Sequence, residues 1–422
     1  MSSFDPSKSD HAHVWHPYTR RSTLTDTPPP MIVQGDGCYL VADDGRRYFD
    51  AISSWWCCAL GHSHPALVSA IRRQAETLQH SILGNLSHPD AARLAARLAR
   101  LMPTPDRHVL FASDGSSAVE QALKIALQYF ANTGVTGRTR FACIRDAYHG
   151  DTLGAMSVGY LDQFHQPFKS VLAPVVSMPF PSTFEETRRT LDPVKESLAA
   201  VIVEPLCLGA AGMKMYPATW LSDLAAWCKA SGTLLIVDEI AMGFGRTGTM
   251  FAFEKAGIDP DLVCVGKALS GGYLPISATI AKDTIYQTFD DSHTLQHGHT
   301  FCGNPIACSA ALAALDEFAK PGFLESVRER ARVLQEILSP LAAIPRVKEV
   351  RCLGMIAAIE LNDERSADGV ALPHRIRKAL LDNGILLRPL GNVIYLMPPL
   401  NTPVDDLRRV AGEVASAIRN TR

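Results

Sequence analysis

Two residues in the middle of the chain have the types and setting for covalent chemistry. Asp238 closes the apolar run LLIV, and Lys267 follows the run LVCV after a single glycine. Short β-branched and aliphatic runs without helical spacing read as strands buried on both faces, as in a parallel sheet. Ligands of open α/β sheets collect at the carboxyl ends of such strands, so a carboxylate and an amine are expected at one sheet edge. Lysine suits a covalent role because its amine loses a proton readily when desolvated and is then nucleophilic. Taken alone, Lys267 is better read as a surface lysine closing a strand. Gly266 and the Gly271-Gly272 pair, which let backbone approach a ligand closely, shift that reading only partly.

An amine and an acid so placed have a known use: pyridoxal phosphate needs a lysine for its Schiff base and an acid against its ring nitrogen. The surrounding elements offer further parts. VLFA reads as a strand and SDGSS as a turn, after which Val119, Ala122, Leu123, Ala126, Leu127 and Phe130 keep helical spacing. Ser117 and Glu120 fit a capping box. Such a strand, turn and helix start forms an anion site, although an ordinary connection has the same pattern. Tyr148 and His149 precede a glycine, where a ring could stack on a cofactor or merely pack. LAAVIVEPL, Leu198 to Leu206, is another buried strand, ending at Glu204.

The rest of the chain supplies the frame. GCYLVADDGRRYFDA reads as a β-hairpin, with Asp44-Gly45 giving its turn positive-φ residues. Trp55 and Trp56 are adjacent, and on a strand successive side chains alternate faces, which leaves one to line a pocket. Pro179 to Glu186 reads as an exposed loop. GFGRTG matches a dinucleotide fingerprint, but two carboxylates precede it and no clean amphipathic helix follows; a glycine-rich surface loop carrying Arg246 is the better reading. His297 to Leu315 is a polar loop followed by a small-residue helix. Beyond residue 320 a charged helix, strands over Val347–Glu360 and Ile385–Met397, and a final helix suggest a separate α+β lobe. Arg388 lies between apolar residues, where an arginine is expected to pair with a carboxylate.

Composition limits the function. The 422 residues carry a formal net charge of −2, which leaves no electrostatic footprint for nucleic acid. No apolar run approaches the ~20 residues of a membrane span, and the polar start has no signal core, so a cytoplasmic enzyme is expected. The ten cysteines form no C-x-x-C and read as reduced and structural. The histidines of His11-Ala12-His13 and His62-Ser63-His64 lack the spacing of a metal site.

The motifs WHPYT, SSWW, YHGDT, DEIAMGFGRTG, VGKALSGG, HGHTFCGNPIAC and RPLGNVIYLMPP, taken in order along nearly the whole chain, resemble the class III, fold-type I pyridoxal-phosphate aminotransferases. The resemblance implies an α/β fold: a large cofactor-binding domain (61–320) with a mostly parallel sheet, and a smaller α+β domain from residues 1–60 and 321–422. It implies that Lys267 carries pyridoxal phosphate and shuttles a proton, that Asp238 holds the ring nitrogen, and that Tyr148 stacks on the ring. Asp114, Gly115, Ser116, His299 and Thr300 would surround the phosphate, Thr300 coming from the second copy of a homodimer. An acid there is unfavourable unless it turns away. Tyr18, Trp55, Tyr148, Lys267 and Gly298 would line the substrate pocket and Arg388 would grip a carboxylate. Ala210 and Ala241 replace the glutamate and glutamine of glutamate-using relatives. That pattern is similar to members that move the amino group of S-adenosylmethionine onto 8-amino-7-oxononanoate in biotin biosynthesis; lysine as donor, or a diamine or ω-amino acid substrate, is the alternative.

Overall fold

The two apolar runs that end near Asp238 and Lys267 lie side by side in a seven-stranded sheet of the computed structural model, which describes residues 4–26, 29–363, 365 and 369–421. The strand order is Arg107–Ala112, Ser277–Lys282, Leu262–Val265, Leu234–Asp238, Leu198–Val203, Arg140–Ile144 and Val176–Met178. Only Ser277–Lys282 runs against its neighbours. Every residue of the three strands from Leu262 to Leu198 in that order is buried, which explains their unbroken hydrophobicity: helices cover both faces. Asp238 pairs with Cys264 across the parallel ladder, so Asp238 and Lys267 leave the sheet at the same edge.

The chain's two ends share a second sheet. Ile32–Asp36, Tyr39–Ala42 and Arg47–Asp50 are joined by Ile385–Leu386. The expected hairpin is present, but only Gly45 of its turn has positive φ, at +84°. Val347–Leu353, Ile356–Leu361 and Val393–Leu396 form a third, antiparallel sheet. The strand region expected over 347–360 is two strands folded back at Gly354. The stretch expected as an exposed loop, 179–186, already enters the helix Phe184–Leu191.

Two differences bear on the site. Ser53 to Trp56 is not extended: all four residues have positive φ, between +43° and +75°. This left-handed turn buries Trp56 (6% exposed) and leaves Trp55 42% exposed, so the expected division of the pair is found for a different reason. Arg246 is not on a surface loop. Its guanidinium is buried and donates to the carbonyls of Met355 (3.3 Å) and Pro398 (2.5 Å), and its own carbonyl accepts from Met355 N–H at 2.9 Å. GFGRTG thus joins the central sheet to the C-terminal lobe.

Gly354 sits in that joint at φ +55°, where a Cβ would lie 2.4 Å from the Arg246 carbonyl and 2.6 Å from Thr247 backbone. Gly354→Ala is expected to destabilise the fold by about 2–4 kcal/mol, from left-handed strain and backbone overlap together. Thermal denaturation is the check, and a variant melting with the parent would reject this account of the joint.

Candidate active site

Five strand ends deliver the chemistry to one edge. Asp238 is 4% exposed. Its Oδ2 lies 2.7 Å from His149 Nδ1 and its Oδ1 accepts from Ile240 N–H at 3.0 Å. His149 Nε2 is buried and has no partner among the described residues. On the adjacent strand Glu204 accepts from the N–H groups of Tyr148 and Gly209, both at 2.9 Å. Burial, helped by the nearby Asp238 charge, pushes Glu204 up to about 7. Two acids thus stand on neighbouring strands, and the Asp238 carboxyl is held in one orientation by His149 and the Ile240 N–H.

Lys267 begins a short 3-10 turn, Lys267–Ser270, at φ +45°. Its Nζ lies 5.0 Å from the centre of the Trp56 ring. Burial lowers its pKa below the usual lysine value, while the charges of Asp238, Glu204 and Cys57 pull the other way. No hydrogen bond or ion pair engages the amine among the described residues. It is a desolvated, uncommitted nucleophile.

Next to it the helix Gly115–Asn132 starts with the Gly115 and Ser116 N–H groups making no hydrogen bond among the described residues. Asp114 is its N-cap: Oδ1 accepts from Ser117 N–H at 3.0 Å and Oδ2 from the Ser117 hydroxyl at 2.8 Å. The carboxylate is folded onto the helix start. The Ser117–Glu120 capping box is not formed; Glu120 Oε1 instead accepts from the Thr152 hydroxyl (2.6 Å) and the Gly154 and Ala155 N–H groups (2.8 and 3.2 Å), securing the next helix. The Ser116 side chain packs directly onto residue 150, which must be glycine: a Cβ there would fall 2.0 Å from Ser116 Oγ, and that oxygen accepts from Asp151 N–H at 3.1 Å.

A polar and aromatic wall faces this edge. Tyr18 donates to Asp151 Oδ2 at 2.5 Å and meets Trp55 edge-on at 5.8 Å and Phe164 at 5.4 Å. Burial, then Asp151, pushes the Tyr18 hydroxyl up to about 12. Burial and the Tyr18 hydroxyl raise Tyr148 as well. The Tyr148 ring lies near-parallel to His165 at 6.0 Å, and His165 Nε2 reaches Asp151 Oδ1 at 3.3 Å. The Arg388 guanidinium sits 4.5 Å from the Trp55 ring centre and 5.5 Å from that of Tyr18. Its expected carboxylate partner is not found among the described residues, because aromatic faces take that place.

Lys267, Asp238 and Tyr148 are thus brought together with Asp114, Gly115 and Ser116, and Tyr18, Trp55 and Arg388 gather beside them. Gly298, His299 and Thr300 are not. Their loop runs along the helix Gly115–Asn132, where Lys124 Nζ meets His297 Nδ1 at 3.1 Å. Gly298 and Thr300 are exposed, and no hydrogen bond, ion pair or ring contact links the three to the Lys267 cluster among the described residues. Glu204, Asp151 and His165 had no expected role, and His149, expected at most to stack or pack, instead engages Asp238. The YHGDT motif carried the signal for two of them, but His165 reaches the site only through the fold. A desolvated amine, a buried fixed acid, a helix start with free N–H groups and an adjacent ring fit pyridoxal phosphate.

Comparison with known proteins agrees in extent. Residues 22–418 match the family model described as aminotransferase class-III. The chain is 42% identical to an adenosylmethionine-8-amino-7-oxononanoate aminotransferase of Synechococcus elongatus, over 97% of this chain and 99% of that protein. The crystal structure of the enzyme so named from Methanocaldococcus jannaschii superposes with a TM-score of 0.94 at 36% identity, covering 98% of each chain. An omega transaminase from Pseudomonas jessenii solved in complex with PMP gives 0.92 at 27% identity, over 99% of this chain and 98% of that one.

Proposed function

The chain belongs to the class III aminotransferases and works with pyridoxal phosphate, and from that premise we propose that it transfers the amino group of S-adenosylmethionine to 8-amino-7-oxononanoate, giving 7,8-diaminononanoate for biotin synthesis. The observation that carries this choice of substrates is Arg388 held against Trp55 and Tyr18. One guanidinium can take the carboxylate of either substrate, and aromatic faces beside it suit a sulfonium or an alkyl chain. Full-length relatives bearing that name support the reading.

Pyridoxal phosphate supplies an electrophilic carbon and an electron sink when bound. In this reading Lys267 Nζ would provide the covalent attachment and serve as the group that moves the proton. Asp238, held in orientation by His149 and Ile240 N–H, would pair with the ring nitrogen. The Gly115 and Ser116 N–H groups would hold the phosphate, which the Asp114 carboxylate, turned onto Ser117, would not oppose. Tyr148 would pack against the cofactor. Tyr18, Trp55 and Arg388 position the substrate and keep water from the reacting face.

Gly298, His299 and Thr300 then serve the site of a second copy in a homodimer, which their exposure permits; light scattering on the purified protein tests this. The proposal keeps the division at residues 60 and 320 and a cytoplasmic location. No helix among the described residues is long and apolar enough to cross a membrane.

The test is to supply the holoenzyme and 8-amino-7-oxononanoate with S-adenosylmethionine, lysine, or an ω-amino acid in turn and follow the diamine product by mass spectrometry. Product from S-adenosylmethionine alone is expected. Product from lysine alone, or none from this acceptor, would transfer the chain to another branch of the family. Arg388→Ala is expected to lower kcat/KM roughly 10- to 100-fold, the worth of a charged hydrogen-bonded pair of about 1.5–3 kcal/mol. A loss confined to kcat would contradict a binding role.

A further inference from the structure

The Ser53–Trp56 turn runs directly into two adjacent thiols, Cys57 and Cys58, which the transamination does not use. Their sulfurs are 4.0 Å apart. Cys57 is half-buried and Cys58 is buried. The pair abuts the segment that carries Lys267: a Cβ at Gly272 would meet Cys58 Sγ at 2.7 Å and the Cys57 carbonyl carbon at 3.0 Å. Trp56, the preceding residue, is the one whose ring lies 5.0 Å from Lys267 Nζ. The Cys58 thiol lowers the Cys57 pKa, burial opposes this, and the Lys267 charge adds to the lowering; the Cys58 thiol is raised in turn by Cys57 and by burial. The other eight cysteines are free and scattered; this is where two thiols, the Lys267 segment and partial exposure coincide.

We propose that Cys57 and Cys58 form a thiol–disulfide exchange site whose oxidation by a low-molecular-weight disulfide reversibly shuts the adjoining active site. The Cys57 sulfur attacks one sulfur of the disulfide; the S–S bond breaks, and the leaving thiolate takes the proton that Cys57 gave up. Cys58 then loses its proton and attacks the Cys57 sulfur, releasing the second thiol. Two protein thiols become one disulfide, and one external disulfide becomes two thiols. A reactive, partly exposed thiol beside a resolving partner is the arrangement of redox-responsive sites. Closure between neighbours is strained, since a trans peptide holds their Cα atoms ~3.8 Å apart, below the usual disulfide span. Strained disulfides are readily reduced, so the change is reversible. Drawing the sulfurs together moves the Trp56 turn under Lys267, which is how oxidation reaches the amine.

The experiment treats holoenzyme with oxidised glutathione, follows amino transfer, and maps the peptide holding residues 57 and 58 by mass spectrometry. The expected result is near-complete loss of activity, loss of two hydrogens from that peptide, and recovery of both with dithiothreitol. Cys57→Ser and Cys58→Ser are expected to keep most of the parent's basal activity, Cys57→Ser resisting inactivation and Cys58→Ser stopping at a mixed disulfide on Cys57. Inactivation of Cys57→Ser at the parent's rate, a disulfide elsewhere, or an oxidised pair in a fully active enzyme would each overturn the proposal. The peptide mass is read independently of turnover, so a failed choice of substrates does not imitate a failed exchange site.

Discussion

Lys267→Ala is expected to lower turnover by at least about 10⁴-fold, the scale on which removal of a catalytic nucleophile acts. The reason lies in what surrounds the amine. It is half-buried beside Trp56 and has no hydrogen bond or ion pair among the described residues. Burial outweighs the attraction of Asp238, Glu204 and Cys57 and lowers its pKa below the ordinary 10.5. The free base is therefore present at lower pH than in a solvated lysine. Uptake of cofactor by the apoenzyme should quicken as pH rises through this lowered value, ahead of the ~10.4 of an unperturbed side chain. Hydride reduction of the holoenzyme should leave cofactor fixed to the peptide carrying residue 267 in the parent and to none in the variant. The decisive pair of measurements is turnover and that peptide mass: an active variant, or cofactor fixed to another lysine, would remove Lys267 from the mechanism.

The parts of this site visible in the sequence are those fixed by local pattern. LLIV before Asp238 and LVCV before Lys267 are too apolar and too short for anything but interior strands, and the strand-end rule then places both residues at one edge. Glycines at 115 and 150 mark where backbone must come close. What the sequence concealed depends on partners distant in the chain. Asp114 caps its helix through Ser117, a choice between two acids each three residues from that serine, and the local pattern favoured Glu120 incorrectly. Arg246 looks like a surface residue until the carbonyls of Met355 and Pro398, more than a hundred residues on, enclose it. Trp55 and Trp56 separate because four residues adopt positive φ, which no propensity foretells for Ser-Ser-Trp-Trp. The antiparallel strand Ser277–Lys282 is, apart from Ile280, made of small and polar residues and carries no strong periodic signal. Gly298, His299 and Thr300 lie apart from the Lys267 cluster in a single chain, so a role for them needs a second copy.

The electrostatic half of the chemistry rests on Asp238, and Asp238→Asn should separate it from the structural half. Asparagine has the same shape, and its carbonyl oxygen can still accept from Ile240 N–H, now 3.0 Å from Oδ1. The position facing His149 Nδ1 at 2.7 Å then changes from acceptor to donor, which the imidazole accommodates by switching tautomer. The buried Nε2, without a partner among the described residues, does not oppose that switch. The variant should fold and keep its cofactor on Lys267. It loses the one fixed negative charge able to hold a proton on the ring nitrogen, and with it the electron sink. Removing a preorganised charge of this kind costs on the order of 10²–10³-fold in kcat, and KM should change little because Arg388 and the Tyr18–Trp55 wall are untouched. Glu204 does not replace it: burial raises its pKa to about 7, and both its oxygens already accept from the Tyr148 and Gly209 N–H groups. A steady-state comparison of kcat and KM with the cofactor's absorbance on the same samples decides the matter. If the variant turns over at the parent's rate with cofactor bound, the acid at the end of this strand is a structural hydrogen-bond acceptor and the ring nitrogen finds its proton elsewhere.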